Sequence, residues 1–319
     1  MQTYTLPRTD LVVSRLAYGC MQIGGRWDDA PLTEAERQTA FRAIQTALDA
    51  GITLFDHADI YTRGKSESVF GDFLKSAPGL RPRLVLQTKC GIRFQGEPAA
   101  ADPQRYDFSY SHIVRSVETS LRRLQTDYLD LLLLHRPDPL VEPEEVARAF
   151  AELHAAGKVR YFGVSNHTPA QIELLQAAVA QPLVVNQLEL SLTHSQLMVE
   201  GVVANRAGAG AASALAAGTL DYCRLRRILV QAWAPLAGGQ LLKAGQLGAA
   251  LIAQLAEQKQ TSPEAIAVAW LLRHPAGIQP ILGSTRPERI RAASLADTVS
   301  LSREEWYALL GEARGQALP

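Results

Sequence analysis

Cysteine is scarce in this chain: Cys20, Cys90 and Cys223 are the only three in 319 residues. Three isolated thiols build neither a disulfide framework nor a Cys/His metal site, and they fit a reducing compartment such as the cytoplasm. Net charge is also missing. Thirty-two Lys and Arg balance 32 Asp and Glu, so nothing in the charge favours nucleic acid or an anionic membrane surface as a partner. No apolar run approaches the roughly 20 residues of a membrane span. The opening "MQTYTLPRTDLVV" has neither a basic start nor an apolar core, so no export signal is expected. The histidines lack a spacing such as H-E-x-x-H, and no metal is expected.

What is present is a regular alternation. Short apolar runs ("LAYGC", "TLFDHA", "LVLQTKC", "LDLLLLHR", "YFGVSN", "LVVNQLEL", "ILVQAWAP", "PILGST") are separated by stretches with helical spacing and capping signals. "TEAERQTAFRAIQTALDAG" opens on a Thr cap and closes on Gly51, and "EPEEVARAFAELHAAGK" closes on Gly157. Strands as apolar as "LDLLLL" are buried on both faces, which implies a parallel sheet covered by helices. Eight such units over residues 1–319 predict a single-domain α/β protein, a (β/α)8 TIM barrel. The segment "YTLPRTDLVV" precedes the first strand and is expected to close the barrel floor. Residues 202–218, "VVANRAGAGAASALAAG", are Ala/Gly-rich with little amphipathic pattern and read as an inserted loop or marginal helix. Their "GAGAAS" lacks the strand and acidic partner that a nucleotide loop requires.

Active sites of such barrels gather at the C-terminal strand ends. Those ends carry Asp56 with Tyr61 just beyond, then Lys89, His135, Ser165 with Asn166, Asn186 with Gln187, Trp233, and "GSTRPER". Each has a bland reading: a turn Asp, a core His, a packed Trp. Lys89 is the sharpest signal, because a lysine driven into a barrel mouth needs a partner, and Asp56 on the neighbouring strand can supply it. His57 and Asp59 point elsewhere by strand alternation and read as structural. Cys20 and Cys90 read as small rim fillers. Arg63 and Lys65 lie near the proposed site and suggest polar or anionic substrates.

Taken in order, "FDHADIY", "LVLQTKCG", "DYLDLLLLHRPDP", "GKVRYFGVSN", "VVNQLEL", "QAWAPLAGGQLL" and "PILGSTRPERI" resemble the aldo-keto reductase superfamily, in its bacterial oxidoreductase branch. The resemblance runs from about Leu16 to about Leu295. It implies reduction of a small aldehyde or ketone by NADP(H). Asp56, Tyr61, Lys89 and His135 would be the catalytic set, with Tyr61 as proton donor made more acidic by Lys89. It further implies that Ser165, Asn166 and Gln187 hold the nicotinamide carboxamide and that Trp233 stacks on the ring, beside Ala234 and Leu236. Gly19, Cys20 and Met21 would form the strand-one rim. Gly283, Ser284, Thr285, Arg286 and Arg289 would hold the 2′-phosphate. Ala292 and Ala293 depart from the polar pair that the family usually brings to the adenine. The alternative is a cofactor-binding accessory subunit of the same fold with little turnover. The sequence leaves the oligomeric state open.

Overall fold

The computed structural model describes residues 1–203 and 217–315. Eight parallel strands close a barrel in the order β10-β11-β12-β3-β4-β5-β8-β9. They are β3 (Ala17–Gly19), β4 (Leu54–Asp56), β5 (Val85–Cys90), β8 (Leu129–Leu134), β9 (Val159–Ser165), β10 (Leu183–Glu189), β11 (Leu229–Trp233) and β12 (Gln279–Leu282). Six lie within one of the eight apolar runs; β9 starts two residues before "YFGVSN" and β12 one residue before "PILGST". Two short antiparallel pairs stand apart: β1 (Thr3–Thr5) with β2 (Val12–Ser14), and β6 (Ile92–Arg93) with β7 (Arg105–Tyr106).

The described helices are α1 (Glu34–Asp49), α2 (Lys65–Ser76), α3 (Tyr110–Leu124), α4 (Pro143–Ala155), α5 (Pro169–Ala178), α6 (Gln196–Val203), α7 (Thr219–Arg226), α8 (Ala249–Gln258), α9 (Pro263–Leu272), α10 (Pro287–Ser294) and α11 (Arg303–Arg314). Their starts follow local chemistry. Thr33 and Glu36 form a reciprocal capping box on α1, as Thr168 and Gln171 do on α5. α10 differs: its cap residue, Arg286, makes no side-chain cap hydrogen bond. No helix among the described residues is long and apolar enough to cross a membrane.

Two apolar cores result. One fills the shell between strands and helices, and Trp270 of α9 stacks there on Trp306 of α11 with ring centroids 5.0 Å apart. The other lies inside the lower barrel, where Leu6, Leu11 and Val13 of the N-terminal hairpin pack on Leu54, Leu131, Leu133, Val185, Leu229 and Ile281. The hairpin therefore closes the floor, as the sequence implies. Of the Ala/Gly-rich stretch, Val202 and Val203 belong to α6, and Ala217 and Gly218 form a turn before α7. The expected insert otherwise falls on 204–216, outside the described residues.

Candidate active site

Side chains alternate along a strand, so every second residue points into the barrel. In β5 that parity turns Gln87 and Lys89 inward, and in β4 it turns Asp56 inward. Lys89 is wholly buried, and its ammonium commits all three of its hydrogens. It donates to Asp56 Oδ2 at 2.8 Å, to the carbonyl of His57 at 2.9 Å and to the Tyr61 hydroxyl at 3.0 Å. Burial, the largest influence on Lys89, pulls its pKa down, but Asp56, Tyr61 and their hydrogen bonds together lift it above the ordinary lysine range. Lys89 is a cation at neutral pH.

Tyr61 departs from the sequence expectation in one respect. Burial raises its pKa, and although the Lys89 charge pulls it back, Asp56 adds to the rise and the net position is above an ordinary phenol. The expected acidifying effect of Lys89 has the right sign but is smaller than desolvation. The resting side chain is the neutral phenol. Since an ammonium has no acceptor, the Tyr61 oxygen receives Lys89's hydrogen bond and its own proton faces away from Lys89. His135 meets Tyr61 edge-to-face with ring centroids 5.8 Å apart. Burial, then the charges of Lys89 and Arg136, hold its pKa well below the ordinary value, so the imidazole is neutral. Its Nδ1 is buried without a hydrogen-bond partner among the described residues.

The loop that carries Tyr61 is held from several sides. Thr62 and Arg63 adopt left-handed backbone, with φ of 47° and 57°. Arg123 of α3 donates to the Asp59 carbonyl at 2.9 Å. Glu67 of α2 is buried against Thr88, whose hydroxyl donates to it at 2.7 Å. Gly24 sits so close that a Cβ there would lie 1.8 Å from Thr62 Oγ1. His57 is buried against Phe70, and neither of its ring nitrogens is hydrogen-bonded among the described residues. Its side chain is structural as expected; its carbonyl, an acceptor for Lys89, is a contribution that residue type alone does not announce.

The structure brings the remaining predicted residues to the same rim, with differences in detail. Asn166, at φ 62°, accepts from Trp233 Nε1 at 3.2 Å and donates to the His135 carbonyl and to Ser165 Oγ. The half-buried indole is thereby fixed in plane. Ser165 Oγ donates to the Gln187 carbonyl. Gln187 uses its amide nitrogen inside the barrel, on Asp56 and Gln231. Its amide oxygen takes no hydrogen bond among the described residues. Ala234, at φ 51°, and Leu236 are half-buried beyond Trp233. Gly19 is half-buried and Met21 exposed, whereas Cys20 is buried with its thiol toward the Tyr18 carbonyl; only its backbone can meet a ligand. Cys90 is likewise buried, as a filler.

Gly283 is exposed, Ser284 and Thr285 are half-buried, and Arg286 and Arg289 are exposed around the start of α10. Ser284 Oγ accepts from the Arg286 N–H at 3.2 Å. A helix start without a side-chain cap, flanked by two guanidinium groups, suits a phosphate. Ala293 is buried in the shell core and Ala292 is half-buried, its carbonyl taken by Ser262 Oγ. Neither carries a polar side-chain group toward a base. Arg63 and Lys65 are already paired, with Asp29 at 3.5 Å and Asp28 at 2.8 Å. The expectation that they attract anionic substrates is weakened accordingly. Among the described residues no His/Cys/Asp/Glu group could hold a metal ion.

Asp56, Lys89, Tyr61 and His135 thus converge at the mouth of a (β/α)8 barrel. Residues 15–310 match the aldo/keto reductase family, and the chain belongs to that family. It is 40% identical over 317 residues to an uncharacterised oxidoreductase of Bacillus subtilis, YcsN, covering 97% of each chain. It is also 40% identical over 308 residues to a 6-dehydroglucose reductase of Agrobacterium fabrum, covering 96% of each. Among solved structures, an aldo-keto reductase from Klebsiella pneumoniae in complex with NADPH is similar with a TM-score of 0.75 and 27% identity, covering 100% of this chain and 97% of that one.

Proposed function

We propose that this protein reduces a small aldehyde or ketone to an alcohol with NADPH, Tyr61 donating the proton. One observation carries the reading: Lys89 directs all its hydrogens to Asp56, His57 and Tyr61, leaving a neutral phenol whose proton is free for a substrate oxygen. Neutral His135 beside it supplies a second hydrogen-bond donor to that oxygen and limits where it sits. As the proton leaves Tyr61, the fixed ammonium stabilises the phenolate without any reorganisation. Asp56 keeps the ammonium in place.

The residues present fit NADPH, whose part would be to supply hydride to the carbonyl carbon. Gln187 offers its unpaired amide oxygen, Trp233 a fixed aromatic face, and Arg286, Arg289 and Ser284 an uncapped helix start. The NADPH in the Klebsiella pneumoniae relative supports the same choice. The name of the Agrobacterium fabrum relative makes an oxidised sugar the first substrate to try. The test is to mix the protein with NADPH and a panel of aldehydes, ketones and oxidised sugars and follow nicotinamide absorbance. Consumption of NADPH with at least one carbonyl is the expected result. Tight binding without consumption of any would favour the accessory-subunit reading instead.

A further inference from the structure

Directly beneath Asp56 lies a buried layer of amides. Gln187, Gln231 and Gln279 stand in register on the adjacent strands β10, β11 and β12, and Gln87 is the register partner of Asp56 across β5 and β4. Gln87, Gln231 and Gln279 are sealed from solvent, and Gln187 is 2% exposed. Gln279 Nε2 donates to the Ser14 carbonyl at 2.7 Å, and Gln231 Nε2 donates to Gln279 Oε1 at 2.9 Å. Gln87 Nε2 and Gln187 Nε2 both donate to Gln231 Oε1, at 2.8 and 3.1 Å, and both donate again to Asp56 Oδ1, at 2.6 and 3.0 Å.

The direction of this chain is forced. A backbone carbonyl only accepts, so Gln279 must present its nitrogen to Ser14 and its oxygen to Gln231. Gln231 then presents its own oxygen upward, and the two glutamines above it must answer with nitrogen. Their second hydrogens are left for Asp56, which has to be an acceptor at that oxygen. Gln87 Oε1 is buried without a partner. Flipping that amide would set its oxygen against Gln231 Oε1 and Asp56 Oδ1, two acceptors, so the orphaned atom marks an orientation imposed by its neighbours.

We propose that the four glutamines form a one-way hydrogen-bond relay, anchored on the Ser14 carbonyl at the barrel floor, that fixes Asp56 as an acceptor and so sets Lys89 against Tyr61. The kinetic consequences rest on the reductase reading above; the structural ones do not. Gln87, Gln231 and Gln279 are positioning residues, acting on the reaction through Asp56. A layer serving only as polar filler would be replaceable by apolar side chains of the same shape, often at little cost in stability. Stability alone therefore does not report the relay.

The experiment compares Gln231→Met and Gln279→Met, both near in volume to glutamine, with the wild-type protein. In the cofactor-free proteins, the ¹H–¹⁵N signal of the Lys89 ammonium, identified by its loss in Lys89→Met, is sharp in wild type and broadened or lost in both variants. With NADPH and 4-nitrobenzaldehyde, kcat falls about ten- to a hundredfold, the scale of a misplaced catalytic group, while the KM for aldehyde and the Kd for NADPH stay within about twofold. An unchanged ammonium signal with unchanged kcat would overturn the relay. So would losses that track a fall in Tm and weaker NADPH binding, which would reduce the layer to packing. If wild type turned over no carbonyl, the reductase reading would fail by itself, and the ammonium signal would still decide on the relay.

Discussion

Lys89 Nζ lies 3.0 Å from the Tyr61 hydroxyl oxygen, and the contact runs in one direction only, because an ammonium cannot accept. Tyr61→Phe keeps the ring and its packing against His135 but removes the transferable proton. Carbonyl reduction should fall by about 10²–10⁴, the usual range for a lost general acid. NADPH affinity in a fluorescence titration should be nearly unchanged. Near-normal turnover in the variant would assign the proton to another group.

Arg286 stands at the uncapped start of α10. A charge-assisted hydrogen bond is worth about 1.5–3 kcal/mol, so Arg286→Ala should weaken NADPH by roughly 10–150-fold. NADH, without the 2′-phosphate, should bind about as before. Calorimetry showing equal weakening of both cofactors would mean that this arginine does not read the phosphate.

Acid should destabilise the protein earlier than carboxylates alone would. Burial holds His57 at about 3 and His112, His167 and His274 at about 4. A base depressed on folding binds fewer protons folded than unfolded. Its contribution is complete above the unfolded value of about 6.5 and is lost as pH falls through the folded one. Tm measured by scanning calorimetry should decline from about pH 6.5 toward pH 4. A flat profile down to about pH 5 would contradict these positions.

Asp59 works in the opposite sense. Burial, then the charge of Glu67, push its carboxyl up to about 8. An acid raised on folding is bound to its proton more tightly in the native state, so its contribution is present at low pH and is lost as pH rises from about 4 to about 8. Asp59→Asn should therefore gain more stability at pH 8 than at pH 5, by a few kcal/mol at most, seen as a larger rise in Tm at pH 8. An equal change at both pH values would show that the carboxyl is not the source.

Period and capping carry most of the fold in this sequence. "LDLLLL" reads as a doubly buried strand, and the Thr33 cap marks the start of α1. Asp56, Tyr61, Lys89 and His135 stand out because each ends or follows a strand where a core should be closing. Gln87, Gln231 and Gln279 escaped that reading because they lie one layer below the rim, where a single amide in an apolar run looks incidental. A signal was available: Gln87 is two residues before Lys89 and Gln231 two before Trp233, the same inward parity as the residues above them. The net rise in the Tyr61 pKa was not legible either, since it depends on how completely burial outweighs a neighbouring charge. The pairing of Arg63 and Lys65 with Asp29 and Asp28 depends on how two loops fold over each other, which strand grammar does not encode.

The in-register amide layer also sets where this gene can vary in length. Removing or adding one residue ahead of Gln87 in β5, or ahead of Gln231 in β11, would turn Gln87 with Lys89, or Gln231 with Trp233, out toward the helices together, and the same change at Thr88 or Ala232 would set the two members of a pair on opposite faces, because side-chain direction reverses at every position. The same change in the turns below or above those strands leaves that parity intact. Deletion scanning along residues 85–90 and 229–233 should therefore give inactive proteins almost without exception, while loop positions outside them tolerate changes in length. Such a map would outline the barrel strands from genetics alone.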